Sequence, residues 1–425
     1  MDLVKNIFKG DKVIWIIFLC LCLISIIEVF SAASTLTYKS GDHWGPITQH
    51  SVILMVGVVV VVFMHNIPYK WFQVFPIFLL PLSLCLLAFV TLMGVITGDR
   101  VNGAARWMTF FGVQFQPSEL AKMAVIIAVS FILSKKQDDE GANPKAFKYI
   151  MIITGLICLL IAPENLSTAM LLFGVVVLMM FIGRVAMKKL LMLFGTLALA
   201  GGLLAAVVLI APENSKIPFL HRLSTWKSRI TNFTDKEEVP AAKFDIDKDG
   251  QIAHAHIAIA TSNFIGKAPG NSVQRDFLSQ AFSDFIFAII IEELGLVGGA
   301  FVALLYIWLL IRAGRIAKKC ERTFPAFLVM AIALMLVSQA ILNMMVAVGL
   351  FPVTGQPLPL ISKGGTSTLI NCAYIGMILS VSRYTARLEE EKEKNDKIQM
   401  EVISPSEEAA EPTSELLNSD TEFEE

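Results

Sequence analysis

Asp284 opens an apolar run, FSDFIFAIIIEELGLVG over 282–298, directly after a long polar stretch. A carboxylate at such a boundary is half removed from water, has a tunable proton affinity, and suits general-base work on a hydroxyl. Capping the helix that follows is the plain structural role for the same residue. A second group lies in NGAARWMTFFGVQFQPSELAK, residues 102–122. Arg106 and Lys122 suit a phosphorylated substrate, with Glu119, three residues before Lys122 on one helical face, holding the ammonium in place. Trp107 suits a bilayer interface. The bland alternative is an anchored, capped helix with one internal ion pair. A third group, Ser362 and Lys363, sits in PVTGQPLPLISKGGTS over 352–367, within the stretch Asn343–Ser367. Its three prolines and three glycines forbid a continuous helix. Irregular backbone near a membrane must be buried in protein or line a wet cavity, so this segment points to a substrate groove.

The elements around these residues must be membrane spans. Of 425 residues, 55% are hydrophobic and 17% charged, with a mean hydropathy of +0.66. A soluble domain carries about 25% charged residues, so this composition excludes a soluble enzyme and a bare nucleic-acid binder. Residues 388–425 hold 14 acids against 3 lysines, net −11, so residues 1–387 carry +10 of the total of −1. The chain reads as a basic membrane body with an acidic tail. Cys20, Cys22, Cys85, Cys158 and Cys372 lie in apolar runs and Cys320 in a basic loop, which excludes a secreted disulfide scaffold.

A span needs roughly 20 mostly apolar residues. Ten segments qualify: 13–34, 48–65, 72–96, 118–135, 147–163, 166–184, 187–211, 284–312, 325–350 and 366–384. With the N-terminus inside, cytoplasmic segments carry 21 Lys and Arg against 4 in the short outside loops. The positive-inside rule then fixes both termini in the cytoplasm. The predicted fold is an all-α integral membrane protein of ten transmembrane helices. It has a cytoplasmic N-terminus over 1–12, a membrane domain over 13–384, and one large extracytoplasmic loop, 212–283, between spans seven and eight. The tail over 385–425 is expected to be disordered, with a short helical start possible through Glu389–Lys397. The first apolar run is too long for a cleavable signal peptide.

Other polar residues are weaker signals. Glu292 and Glu293 fall eight and nine residues after Asp284, about 12–14 Å deeper on a continuous helix. Glu28 is an acid within the first span with no partner evident in the sequence. Asp245 to Gly250 imitates the start of a calcium loop, yet the twelfth position, which needs Glu, is His256. A polar turn is the better reading, and His254 and His256 read as ordinary loop histidines.

Together the three long motifs, on ten spans, resemble the SEDS family (shape, elongation, division and sporulation) of bacterial cell-wall glycosyltransferases. The similarity runs from about Asp11 to Arg383. Asn271-Ser272-Val273-Gln274-Arg275 is more similar to the division branch than to the elongation branch. Three positions depart from the family pattern: Ala162-Pro163-Glu164-Asn165 replaces Gln-Pro-Asp, Lys363 replaces a tyrosine, and Phe282-Ser283 replaces His-Thr.

The resemblance implies a peptidoglycan glycosyltransferase of the inner (cytoplasmic) membrane, at the division septum, that polymerises lipid II. Asp284 matches the family's essential aspartate; Arg106, Trp107, Glu119 and Lys122 match its other sensitive positions. An α-linked sugar diphosphate displaced once gives a β-1,4 product with no covalent intermediate, so one carboxylate suffices. The leaving undecaprenyl diphosphate needs Arg, Lys or a divalent cation, and Arg106, Lys122 and Lys363 are the candidates. No metal-ligand motif is visible, so Mg²⁺ or Mn²⁺ is expected on substrate phosphates. The implied partners are a class B penicillin-binding protein (a transpeptidase) and other divisome proteins. The alternatives are a lipid-linked precursor flippase or transporter, or the elongation paralogue with the same chemistry.

Overall fold

The structure, a computed structural model, describes residues 9–32, 45–96, 107–110, 113–138, 141–210, 250–278 and 281–403. Its first seven long helices are α1 Lys12–Ala32, α2 Gly45–Asn66, α3 Phe75–Ile96, α4 Pro117–Lys135, α5 Pro144–Ile161, α6 Leu166–Ile182 and α7 Met187–Ile210. Then come α8 Gly250–Thr261, α9 Ile286–Lys319, α10 Thr323–Ala347 and α11 Thr366–Ile403. A helix stands at each of the ten predicted segments. Among the described residues, seven of them (α1–α5, α9 and α10) are long and apolar enough to cross a bilayer, and the 17-residue α6 is a shorter apolar helix. The protein is an all-α, multi-pass membrane protein.

Local chemistry sets the helix starts. Asp11 accepts from the N–H groups of Val13 and Ile14 at 2.9 and 3.2 Å, capping α1, and its other oxygen takes Arg312 at 2.6 Å. Pro117 occupies the first turn of α4, where its missing N–H costs nothing, and Glu119 favours the positive end of the helix. Asn143 and Asn165 cap α5 and α6 through the N–H groups of Lys145 and Thr168. Over their most apolar stretches 78% of α4 is buried against 22% of α3, so α4 is central and α3 faces lipid. Among the described residues are also two short 3-10 helices, Tyr69–Gln73 and Gln274–Asp276, and two small antiparallel hairpins, which hydropathy did not predict. The hairpins are β1 Met108–Phe110 with β2 Val113–Phe115, and β3 Gln137–Asp138 with β4 Gly141–Ala142.

Three expectations are corrected. The predicted eighth span is not one straight helix. Gly295, at φ +72°, breaks α9 into a half-helix over 286–294 and a full span from 296. A Cβ on Gly299 would lie 2.7 Å from Cγ1 of Ile291 and 3.6 Å from Cζ of Phe287. A straight helix would hold those residues about 12 and 18 Å apart, so the half-helix folds back along the span. Glu293 consequently accepts the hydroxyl of Ser31 at the end of α1. The segment before the half-helix sits beside Ile361, whose carbonyl takes Ser25, six residues or about 9 Å earlier on α1. The half-helix thus runs from within the bundle toward its end, and Glu292 and Glu293 are nearer that end than Asp284.

The long loop meets this reversal. Lys267 and Ala268 N–H groups donate to the carbonyls of Glu292 and Glu293 at 3.0 and 2.9 Å. Glu292 binds the Lys267 ammonium at 2.6 Å and accepts from Ser272 and the N–H of Val273 and Gln274. Glu293 accepts from the N–H of Gly270 and Ser272 at 3.1 and 3.2 Å. Donors on every side are what allow two adjacent acids to be fully buried.

The second correction lies inside the long loop. Residues 250–261 form α8, burying Ala255 and Ala258, so His254 and His256 are helical and not in a loop. The last seven positions of the calcium-loop pattern are wound into that helix, and Asp245–Asp249 lie outside the described residues. The third concerns the tail. Helix α11 continues to Ile403, fastened by Lys319–Glu389 at 2.7 Å and Lys392–Glu321 at 2.8 Å. Acids and lysines three and four apart favour that helix; residues 404–425 lie outside the described residues.

Candidate active site

The segment carrying Asp284 is held by three successive carbonyls. The Phe282 carbonyl accepts the N–H of Lys363 at 3.0 Å, and the Ser283 carbonyl accepts the hydroxyl of Ser362 at 2.6 Å. The Asp284 carbonyl accepts Nδ2 of Asn343, on α10, at 2.9 Å. The Ser283 hydroxyl donates to the Asp284 carboxylate at 3.0 Å. Asp284 is partly exposed, with its backbone bound to the loop.

The loop over 348–365 makes this possible. Ser362 also accepts the N–H of Leu358 at 2.8 Å, so its hydroxyl closes the loop on itself while reaching Ser283. Tyr306 donates to the Pro359 carbonyl and Ser25 to the Ile361 carbonyl, at 2.7 Å in the second case. These two bonds flank Leu360, which is buried at φ +66°, a conformation that costs a branched residue about 1–3 kcal/mol and persists only where neighbours impose it. His50 stands 2.8 Å from Ser25 on its far side. The hydroxyl of Ser25 is committed to Ile361, so the imidazole donates to it.

Lys363 is half-buried, its ammonium 5.8 Å above the Phe282 ring. Burial holds its pKa below the usual 10.5. Lys122 differs. It is 1% exposed, paired with Glu119 at 2.7 Å and donating to Oε1 of Gln339 at 2.9 Å. The predicted pair forms, but its ammonium is enclosed against α10 and does not lie on an open surface. A buried cation needs a carboxylate and a dipole, and both are present. Gln339 passes the contact on, donating to the Pro357 carbonyl at 3.0 Å. Trp107, 40% exposed, precedes the β1–β2 hairpin, whose exit residue Gln116 donates its N–H to Thr366 at 3.3 Å. The hairpin is thereby tied to the far end of the loop. Arg106 lies outside the described residues.

The structure therefore brings Asp284, Ser362 and Lys363 together and joins Glu119 and Lys122 to the same loop from behind. Sequence reasoning assigned no role to Gln339, Asn343, Ser25 or Tyr306. The available signal was an amide pair four residues apart in an otherwise apolar span. The described crevice bounded by Thr91, Ser118, Glu164 and Asn165 lies elsewhere and contains no residue of 282–284 or of the loop.

The fold and site define a multi-pass membrane protein whose Asp284 segment is bonded to a loop carrying a half-buried lysine. The chain belongs to the FtsW/RodA/SpoVE family, described as cell cycle proteins, whose profile matches residues 11–387. It is 30% identical over 385 residues to a probable peptidoglycan glycosyltransferase FtsW of Geobacter metallireducens, covering 89% of this chain and 96% of that one. It is 30% identical to the stage V sporulation protein E of Bacillus subtilis, covering 88% and 97%. A chain from a solved structure concerning polymerization and crosslinking by a peptidoglycan synthase complex superposes with a TM-score of 0.69. That match has 23% identity and covers 89% of this chain and 99% of that one.

Proposed function

We propose that the protein is a peptidoglycan glycosyltransferase that polymerises lipid II into β-1,4 glycan and releases undecaprenyl diphosphate. Asp284 takes the proton from the acceptor sugar hydroxyl as that oxygen attacks the anomeric carbon. The bond to diphosphate breaks in the same step, inverting the centre. Lys363 and Arg106 neutralise the leaving diphosphate, Trp107 seats the substrate at the interface, and Glu119, Lys122 and Ser362 hold the loop. The observation that carries this reading is the partly exposed Asp284 on a backbone bonded at three successive carbonyls, the first of them to the backbone of a half-buried lysine.

Among the described residues no group of three His, Cys, Asp or Glu could hold a metal ion, and the carbonyls of 282–284 already accept hydrogen bonds. The reading accordingly assigns Mg²⁺ or Mn²⁺ to the substrate phosphates. It takes the ten helices as ten spans with both termini cytoplasmic. The site then faces outward beneath a large extracytoplasmic loop, as a lipid-linked sugar requires. Relatives named FtsW support the division branch, and a similar chain from a peptidoglycan synthase complex supports a crosslinking partner. To these the proposal adds septal synthesis in the bacterial inner membrane, a class B penicillin-binding protein as transpeptidase, and other divisome proteins.

The test uses the purified protein with its partner and labelled lipid II. Polymer is expected from the wild type and none from Asp284→Asn of unchanged folding. Polymer from that variant at the wild-type rate removes Asp284 as base. Lipid translocation in liposomes without polymer would make the protein a flippase instead.

A further inference from the structure

Helix α10 is apolar except for a few positions, and two of these, Gln339 and Asn343, are amides one turn apart on one face. Both are almost fully buried. Amides at such depth are costly unless their polar atoms are paired. Here both nitrogens and the Gln339 oxygen are bonded, while Oδ1 of Asn343 has no partner among the described residues. Both Nδ2 hydrogens of Asn343 are used, on the Asp284 carbonyl at 2.9 Å and on the Gln356 carbonyl at 2.8 Å. Both acceptors are carbonyls, so the amide orientation is fixed: only the nitrogen end can serve them. Gln339 takes the next carbonyl in the loop, Pro357, and receives Lys122 on its oxygen. Gln356 in turn donates to Thr168 on α6 at 2.7 Å.

We propose that Asn343 is the positioning residue for the Asp284 carboxylate, clamping the Asp284 peptide to the Gln356 peptide of the loop, with Gln339 extending the clamp to Lys122. Of the three carbonyl ties, it alone holds the peptide that leaves Asp284 itself. The other two act on the preceding residues, through the Lys363 backbone and Ser362. Losing it removes the hydrogen bond on the Asp284 carbonyl, so the backbone at 284 shifts and carries the carboxylate out of place. The role rests on Asp284 being the base of the proposed reaction.

Two readouts on full-length protein separate the clamp from the chemistry. The first is hydrogen exchange. In Asn343→Leu, peptides spanning 281–286 should exchange at least ten-fold faster than in the wild type while α10 keeps its protection. This result does not depend on what the protein catalyses. The second is polymerisation of labelled lipid II with the partner present. Turnover should fall on the order of 100-fold with KM within a few-fold, as a misplacement of about 1 Å predicts. The acidic limb of the kcat profile should also move, whereas loss of folded protein would only scale it. If Asn343→Leu fails to fold, Asn343→Thr, which keeps one donor, should show the same changes at smaller size. Wild-type exchange in 281–286 overturns the clamp. Faster exchange with an unmoved acidic limb overturns the positioning role. A wild type that makes no polymer overturns the proposed reaction and leaves the exchange result to decide the clamp.

Discussion

Lys363 contacts Phe282 twice: its backbone N–H donates to the Phe282 carbonyl at 3.0 Å, and its ammonium lies 5.8 Å over the ring. The residue that begins the Asp284 segment thus also seats the lysine. Burial lowers the lysine pKa from 10.5. The folded state disfavours the cation relative to the unfolded chain, so the stability penalty is full below the folded pKa and fades as pH rises toward 10.5. The charge available to a diphosphate is lost over the same window. Polymerisation by the wild type should therefore decline on the alkaline side below pH 10.5. Lys363→Arg, which stays charged, should extend the plateau. Superimposable alkaline limbs in the two pH–rate profiles would remove Lys363 from anion neutralisation.

Lys122→Met leaves Glu119, 2% exposed, as a buried charge without its cation. Unfolding in detergent should show a loss of about 3–5 kcal/mol. Adding Glu119→Gln should restore most of it. A Lys122→Met protein of wild-type stability with reduced activity would instead make Lys122 a direct substrate contact.

The backbones of Gly266 and Gly295 cross in contact, and both have positive φ, +82° and +72°. A Cβ on Gly295 would stand 2.6 Å from the nitrogen of Gly266. Gly295→Ala should cost upward of about 2 kcal/mol and loosen the half-helix. Gly314→Ala, on the same helix with nothing within 4 Å, serves as the control and should be neutral or slightly stabilising. Equal melting temperatures for the two variants would contradict the reversal.

Glu28 is fully buried, and neither carboxylate oxygen has a hydrogen-bond partner among the described residues. Replacing an unpaired buried acid by a hydrocarbon of similar size removes a desolvation cost. Glu28→Leu should leave thermal stability unchanged or raise it by about 1–2 kcal/mol. A clear loss of stability in detergent melting would mean that the carboxyl group is held by an interaction in the assembled protein.

The spans were legible because twenty apolar residues have few other uses, and the Glu119–Lys122 pair because three residues on a helix make neighbours. The reversal at Gly295 was not. IIIEELGLVGGAF is hydrophobic on both sides of the glycine, and a glycine inside an apolar helix is tolerated often enough to carry little information. The carbonyl ties were hidden for a different reason. Main-chain oxygens leave no trace in residue type, so the loop announced itself through its prolines and glycines but not through what it grips. Gln339 and Asn343 were the readable half of that arrangement. In the tail, the scarcity of aromatics argued for disorder, while the acid–lysine spacing that continues α11 was the better guide.

Ser25 and Ile361 are 336 residues apart in the chain. At the usual pace of translation, about 5–20 residues per second, the first span waits roughly 17 to 67 seconds before the residue it must bind leaves the ribosome. Through that interval Ser25 and Ser31 are already committed to the bilayer while Ile361, Glu293 and Arg275, which bind them in the finished protein, are still being made. Biogenesis of this enzyme therefore depends on whatever shelters the polar side of its first helix during insertion.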